Sequence, residues 1–163
     1  MTAALAVEAL GAENVTGISM PSRYSSEGSI EDANQLASNL KFKLHLIPIK
    51  RIVTEMNVTL SDIFKGQTED LTEENIQARL RGNVVMSYSN KFNTLALSTG
   101  NKSEMAIGYC TLYGDMCGAL GVLADVPKQV VYQLAHYINR NNELIPTTSI
   151  TKAPSAELKP NQT

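Results

Sequence analysis

The chain has 163 residues, of which 43% are hydrophobic, so it is long enough to form one domain with a buried core. Its net charge of −2 excludes a general role in binding nucleic acid or anionic membranes, and its sequence contains no apolar run near the roughly 18 residues of a membrane span. Cys110 and Cys117 lack a CxxC spacing, which indicates reduced thiols in a cytoplasmic protein. His45 and His136 each lie within an apolar run, so neither a zinc site nor a Ser-His-Asp arrangement is expected.

Helical and extended patterns alternate through the first part of the chain. Gly11 is placed to stop a first helix, and Ser29 is placed to cap a second. The predicted elements are a helix from Thr2 to Leu10, a strand from Asn14 to Met20, a polar loop from Pro21 to Gly28, a helix from Ser29 to Leu40, a strand from Phe42 to Ile49 and a helix from Arg51 to Phe64.

The alternation continues in the second part. Thr72 is predicted to cap a long helix that runs to about Asn90, and Pro127 to be the first residue of a helix that runs to Asn139. Between them we predict a strand from Thr94 to Leu97 and a loop from Gly114 to Ala124, and residues 151–163 are predicted to be a loop or tail. Because helices separate the strands, we expect right-handed crossovers. The predicted fold is α/β, a Rossmann-like doubly wound parallel sheet in a three-layer α/β/α domain.

The most informative stretch is the turn from strand to helix between Leu97 and Ala106. Thr99 and Gly100 break the strand, and such a turn presents backbone N–H groups at the carboxyl edge of a sheet, where phosphate binds. Glu104 adds an oxygen ligand suited to Mg²⁺ beside that phosphate. Asn101 and Glu104 also have the spacing of a capping box, so a purely structural role stays open. The crowding of polar side chains in one turn favours the binding interpretation.

This turn also carries a resemblance to a known family. It reads Thr99-Gly100-Asn101-Lys102-Ser103-Glu104 and continues into Gly108-Tyr109-Cys110-Thr111-Leu112-Tyr113-Gly114-Asp115. Further stretches agree in order and spacing, namely Ser19-Met20-Pro21-Ser22-Arg23-Tyr24-Ser25-Ser26, Glu74-Asn75-Ile76-Gln77-Ala78-Arg79-Leu80-Arg81-Gly82-Asn83, Asp125-Val126-Pro127-Lys128 and Pro154-Ser155-Ala156-Glu157-Leu158. Together they resemble NAD synthetase over nearly the whole chain. Leu112 and Ala119 stand where the ammonia-only branch tends to have Lys and Asp, so the resemblance is to the synthetase domain of the glutamine-dependent kind.

The resemblance implies the fold of the ATP pyrophosphatases and a ligase reaction. ATP adenylates the nicotinate carboxylate of deamido-NAD with loss of pyrophosphate, and ammonia then attacks the acyl-adenylate to give NAD and AMP. The implied requirements are ATP, Mg²⁺ and ammonia released from glutamine by an upstream amidase domain. The family also forms homodimers through helices near Thr72 to Asn90.

The resemblance assigns roles by position. Thr99, Lys128, Ser155, Met20 and Arg23 match ATP-binding positions, whereas Asn75, Arg79, Glu104, Tyr109, Cys110, Thr111 and Leu112 match positions that bind deamido-NAD. Glu104 is also the expected metal ligand, and no catalytic residue is assigned. Asn75 and Arg79 are four positions apart and share one helix face. Structural alternatives stay open, because Arg79 also suits surface ion pairs, Thr99 a strand end and Lys128 a solvated site.

The sequence departs from the family pattern at its start. The pyrophosphate-binding loop Ser-Gly-Gly-x-Asp-Ser and the central strand that leads into it do not occur here. We therefore expect an internal fragment of a synthetase domain that lacks the first strand and is inactive alone. Two other functions stay open, namely a non-catalytic nucleotide-binding and dimerisation module and another amidotransferase of the ATP pyrophosphatase type.

Overall fold

The computed structural model describes residues 1–159 and 162, and alternating helices and parallel strands confirm an α/β fold. The predicted loop or tail is irregular over residues 152–159, and residues 160, 161 and 163 lie outside the described part. The elements are α1 (Thr2–Leu10), β1 (Thr16–Ser19), α2 (Glu27–Leu40), β2 (Lys43–Leu46), α3 (Lys50–Leu60), α4 (Leu71–Phe92), β3 (Leu97–Ser98), α5 (Lys102–Ala106), β4 (Leu120–Gly121), α6 (Lys128–Ile138) and α7 (Thr147–Thr151).

The described strands form two parallel pairs, β1 with β2 and β3 with β4. The β1–β2 pairing extends beyond the strands, because the N–H of Ile47 donates to the carbonyl of Ser19 at 2.8 Å and the N–H of Ile49 donates to that of Pro21 at 2.9 Å. This extension holds the backbone on both sides of Met20 at the carboxyl end of β1.

The helix predicted from Arg51 to Phe64 runs from Lys50 to Leu60, so its predicted end was wrong. α2 and α4 begin earlier than predicted, because a different side chain provides each cap. Ser26, not Ser29, caps α2, and the N–H of Ser29 donates to Ser26 Oγ at 3.2 Å. Asp70, not Thr72, caps α4, and the N–H of Thr72 donates to Asp70 Oδ1 at 2.7 Å. The Glu73 side chain completes a capping box with Asp70. In both helices the polar residue two or three positions upstream is the one with extended backbone angles, which an N-cap requires.

The region around the central turn also differs in detail. The strand predicted over Thr94 to Leu97 is reduced to Leu97–Ser98, and the predicted loop from Gly114 to Ala124 contains its partner β4. Gly118 has φ 144°, and a Cβ there would lie 2.9 Å from the backbone nitrogen of Ser98, so only glycine fits this approach. β3 and β4 therefore pair closely, but over only two residues of each strand.

The main hydrophobic core lies where α1, α2 and α6 pack together. It contains Ala4, Ala37, Leu40, Phe42, Ala135 and Ile145. Burial of these side chains fixes α2 relative to the chain around Ile145, because each residue removes apolar surface from water. The C-terminal half of α2 is consequently held against the chain that leads into α7.

Candidate functional site

The face of α4 that carries Asn75 and Arg79 contacts the loop that follows α5. Thr111 Oγ1 donates to Asn75 Oδ1 at 2.8 Å, and Arg79 Nε donates to the carbonyl of Leu112 at 3.3 Å. The loop is braced from within, since the N–H of Thr111 donates to Asp115 Oδ1 at 2.6 Å. The structure thus brings together Asn75, Arg79, Thr111 and Leu112, which the resemblance assigned to deamido-NAD.

Two glycines allow this loop to lie directly on α4. A Cβ on Gly82 would lie 2.7 Å from the carbonyl oxygen of Tyr113 and 2.9 Å from Cys117 Sγ, and one on Gly114 would lie 3.0 Å from Ala78 Cβ. No role was predicted for either glycine from the sequence. A signal was present, because a glycine within a helix costs about 1 kcal/mol relative to alanine and therefore indicates a close approach.

An open groove of about 410 Å³ lies along α4 beside this contact. Its lining combines a guanidinium group with apolar and amide side chains. Its lining residues are Arg79, Gly82, Asn83, Met86, Ser87, Asn90, Tyr113 and Cys117.

The turn into α5 forms the capping box that the sequence left open as an alternative. The N–H of Asn101 donates to Glu104 Oε2 at 2.9 Å, and the N–H of Glu104 donates to Asn101 Oδ1 at 3.1 Å. The capping role is therefore confirmed. Because α5 has only five residues, its dipole adds little, and phosphate binding at Thr99 and a metal at Glu104 stay predictions.

Lys128 packs against the same turn. Its N–H donates to Ser103 Oγ at 3.1 Å, and the N–H of Lys102 donates to the carbonyl of Val126 at 3.0 Å. Pro127 was predicted to be the first residue of this helix, but it is the N-cap, and α6 begins at Lys128. The structure thus places Lys128 beside the stretch that contains Thr99 and Glu104.

Met20 and Arg23 lie in the connection between β1 and α2. Arg81 Nε donates to the carbonyl of Met20 at 3.1 Å, and burial lowers the pKa of the Arg81 guanidinium while the charge of Glu157 acts in the opposite sense. Arg23 is exposed, and its guanidinium carbon lies 4.7 Å from the ring centre of Tyr24. Arg81 therefore ties α4 to the end of β1, and Arg23 stays accessible to a ligand.

Glu157 connects the segment after α7 to the N-terminus of α2. Its Oε1 accepts hydrogen bonds from Ser26 Oγ at 2.7 Å, Ser29 Oγ at 2.8 Å and Lys152 Nζ at 2.9 Å. Partial burial acts to raise the pKa of Glu157, but the hydrogen bonds from Lys152, Ser26 and Ser29 outweigh it and lower the pKa to about 2. No role was predicted for Glu157 from the sequence, because its serine partners lie more than 120 positions away.

Ser155 and Tyr109 are linked through the same segment. Ser155 Oγ accepts from the N–H of Glu157 at 3.1 Å and donates to the carbonyl of Gln162 at 2.6 Å. Gln162 Nε2 donates to Glu74 Oε2 at 3.1 Å and to the Tyr109 hydroxyl at 3.4 Å. The segment that contains Ser155, which was assigned to ATP, therefore also contacts Tyr109, which was assigned to deamido-NAD. Cys110, also predicted to bind deamido-NAD, is half-buried and has a free thiol.

The described part of the chain has no helix that is both long and apolar enough to cross a membrane. Within the same residues, no three side chains of the His, Cys, Asp or Glu types are grouped as they would be in a protein-built metal site.

Comparison with known proteins gives one consistent result. The sequence model of the NAD synthase family matches residues 1–163. The glutamine-dependent NAD(+) synthetase of Synechocystis sp. is 54% identical over 162 residues, which are 99% of this chain and 29% of that protein. The structure of glutamine-dependent NAD+ synthetase from Acinetobacter baumannii in complex with ADP has a TM-score of 0.91 at 46% identity, covering 95% of this chain and 30% of that one. NMN synthetase from Francisella tularensis has a TM-score of 0.88 at 27% identity, covering 99% and 63%. The chain spans about 29% of the length of the first of these relatives.

Proposed function

Because the chain belongs to the NAD synthase family, we propose that it is part of an enzyme that makes NAD from deamido-NAD, ATP and ammonia. The carboxylate of deamido-NAD attacks the α-phosphorus of ATP and pyrophosphate leaves. Ammonia attacks the acyl carbon of the resulting adenylate, AMP leaves, and one proton is released. Adenylation is needed because a carboxylate is a poor acyl donor. The protein then has to hold two anionic nucleotides together and balance their charge.

The contact between α4 and the loop that follows α5, residues 109–115 (the 109–115 loop), carries this proposal. The pairs Thr111–Asn75 and Arg79–Leu112 join two segments that the family resemblance separately assigns to deamido-NAD. The Nε of Arg79 donates to the loop, and Arg79 also lines the groove, where a planar guanidinium would suit a carboxylate or phosphate. The side chains of the groove would then select the substrate through shape as well as charge.

ATP would lie away from the α4 groove, between the turn at Thr99 and the chain around Ser155. Lys128 packs against that turn, and Met20 and Arg23 lie at the end of β1, where an adenine ring would be held. The ADP complex of the Acinetobacter baumannii relative supports nucleotide binding by this fold. Each of these roles is a proposal.

Magnesium fits as an ion carried by ATP rather than as a resident metal. Glu104 offers one carboxylate, of which Oε2 accepts the N–H of Asn101. Since Mg²⁺ needs only one or two protein carboxylates when phosphates supply the other ligands, Glu104 is a sufficient contribution from this part of the protein. The ion would balance the charge of the phosphates.

We propose the broader context from the same relatives. Ammonia would come from glutamine, released by an amidase domain, and the enzyme would work in the cytoplasm, where free thiols such as Cys110 and Cys117 stay reduced. The two parallel strand pairs would belong to one doubly wound sheet in a single three-layer α/β/α domain. The homodimer would form through α4, which exposes Met86 and Phe92. Light scattering of the full-length protein tests the dimer.

The experiment for the activity uses the full-length protein that the gene encodes. It is incubated with ATP, Mg²⁺, deamido-NAD and ammonium, and we expect NAD and AMP in equal amounts. Preference for nicotinic acid mononucleotide would overturn the choice of deamido-NAD but keep the ligase class. ATP binding without amide formation from either compound would overturn the ligase itself.

A further inference from the structure

The carboxylate of Glu157 has an unusually complete set of partners for a residue with no assigned role. Besides the hydroxyls of Ser26 and Ser29 and the ammonium of Lys152, Glu157 Oε2 accepts the backbone N–H of Ser26 at 3.2 Å. The Glu157 side chain is only 18% exposed. An isolated ion pair on the surface would contribute little, but here hydroxyls, a backbone amide and an ammonium converge on one carboxylate.

Lys152 strengthens the same cluster from the opposite side. Its Nζ donates to Ser29 Oγ at 2.6 Å and to Ser26 Oγ at 3.0 Å, in addition to Glu157. The cluster therefore shares its hydrogen bonds among four side chains. Removing the carboxylate would leave the ammonium without its negative partner and the two hydroxyls without their strongest acceptor.

The cluster joins two parts of the proposed ATP site that are distant in sequence. Ser26 ends the connection that contains Met20 and Arg23, and Glu157 lies two residues after Ser155, whose hydroxyl accepts the N–H of Glu157. Arg81 holds the carbonyl of Met20 from a third direction. Glu157 is thus placed to set the distance between the two parts.

We propose that Glu157 is a positioning residue for ATP, which holds the Ser155 segment against the N-terminus of α2 so that both sides of the nucleotide site keep a fixed spacing. This inference rests on the proposed function, because it needs ATP to lie between those segments. A misplacement of one side by about 1 Å is enough to weaken a site that depends on geometry.

The test is the substitution Glu157→Gln in the full-length protein, with Glu31→Gln as the matched control on the exposed side of α2. We expect Glu157→Gln to raise the KM for ATP about tenfold, with the KM for deamido-NAD within about twofold of wild type. Amide hydrogen exchange in residues 152–158 should become faster in this variant. The control should match wild type in all three measurements.

A second variant, Lys152→Met, separates positioning from general damage. If the cluster acts as one unit, Lys152→Met should raise the KM for ATP in the same way, and the double variant should add little. An unchanged KM for ATP in Glu157→Gln would overturn the inference, as would an equal rise of both KM values. If the wild-type protein makes no NAD, the proposed function fails separately. Calorimetric ATP affinity and hydrogen exchange then decide the inference, and unchanged values in Glu157→Gln would overturn it.

Discussion

The close packing of α4 on the 109–115 loop predicts that Gly82→Ala destabilises the protein, although alanine usually stabilises a helix interior relative to glycine. A Cβ at Gly82 would lie 2.7 Å from the carbonyl oxygen of Tyr113, 2.9 Å from that of Gly114 and 2.9 Å from Cys117 Sγ. Two of these three atoms belong to the backbone, so relief requires the loop itself to move. The shortest distance is about 0.7 Å inside the 3.4 Å at which ordinary contact begins.

The magnitude follows from two opposing effects. Alanine in a helix interior gains about 1 kcal/mol over glycine, while overpacking costs about 1–3 kcal/mol. We therefore expect Gly82→Ala to change the free energy of unfolding by about 0–2 kcal/mol in the destabilising direction. The displaced loop would weaken the hydrogen bonds Thr111–Asn75 and Arg79–Leu112, so the KM for deamido-NAD should rise about tenfold or more.

The matched control is Gly28→Ala in α2, where an added Cβ meets no atom within 4 Å. This variant should be as stable as wild type or up to about 1 kcal/mol more stable, with unchanged kinetics. Urea unfolding gives the stability, and saturation kinetics give the KM. If Gly82→Ala stabilises the protein as much as Gly28→Ala and leaves the KM for deamido-NAD unchanged, the loop does not depend on this contact and the reasoning is wrong.

Three further predictions concern the other contacts. Because hydrogen bonds hold the pKa of Glu157 at about 2 against an ordinary 4.5, its stabilisation is complete above pH 4.5 and is lost as the pH falls towards 2. After allowance for solvent screening it should amount to about 1–2 kcal/mol, so unfolding at pH 6 and pH 3 should differ less in Glu157→Gln than in wild type. Asn101→Ala should lower Tm by about 2–4 °C through loss of the α5 cap, whereas Asn101→Asp should keep it. Arg79→Lys should raise the KM for deamido-NAD about tenfold without changing that for ATP, and an equal rise in both would contradict the assignment of Arg79.

The sequence predicted the order of the elements better than their ends. Alternating periodicity identified α1, β1 and β2, because apolar spacing records which side of an element is buried. The caps Ser26 and Asp70 were missed because several polar residues precede each helix and only the backbone angles distinguish them. β3 was overestimated, since an apolar run shows burial but not how many residues a partner strand covers.

For the site, features within one helix turn could be predicted from the sequence, whereas contacts between distant segments could not. The Asn75–Arg79 face and the capping box of α5 follow from spacing within one helix turn, so the sequence contained them. The contact of Gly82 with Tyr113 and the partners of Glu157 join distant segments, and no local pattern encodes such a distance. Only their residue types, a glycine inside a helix and an acid within a family motif, indicated where to look.

The most direct test of the central claim is the dependence of NAD formation on deamido-NAD concentration for Asn75→Ala. Asn75 accepts the hydroxyl hydrogen of Thr111, and Thr111→Val, which removes only that donor, provides a second measure of the same contact. We predict that both variants raise the KM for deamido-NAD several-fold while the KM for ATP stays at the wild-type value. An unchanged KM for deamido-NAD in both variants, or a rise confined to ATP, would contradict the claim that α4 and the 109–115 loop form the deamido-NAD site.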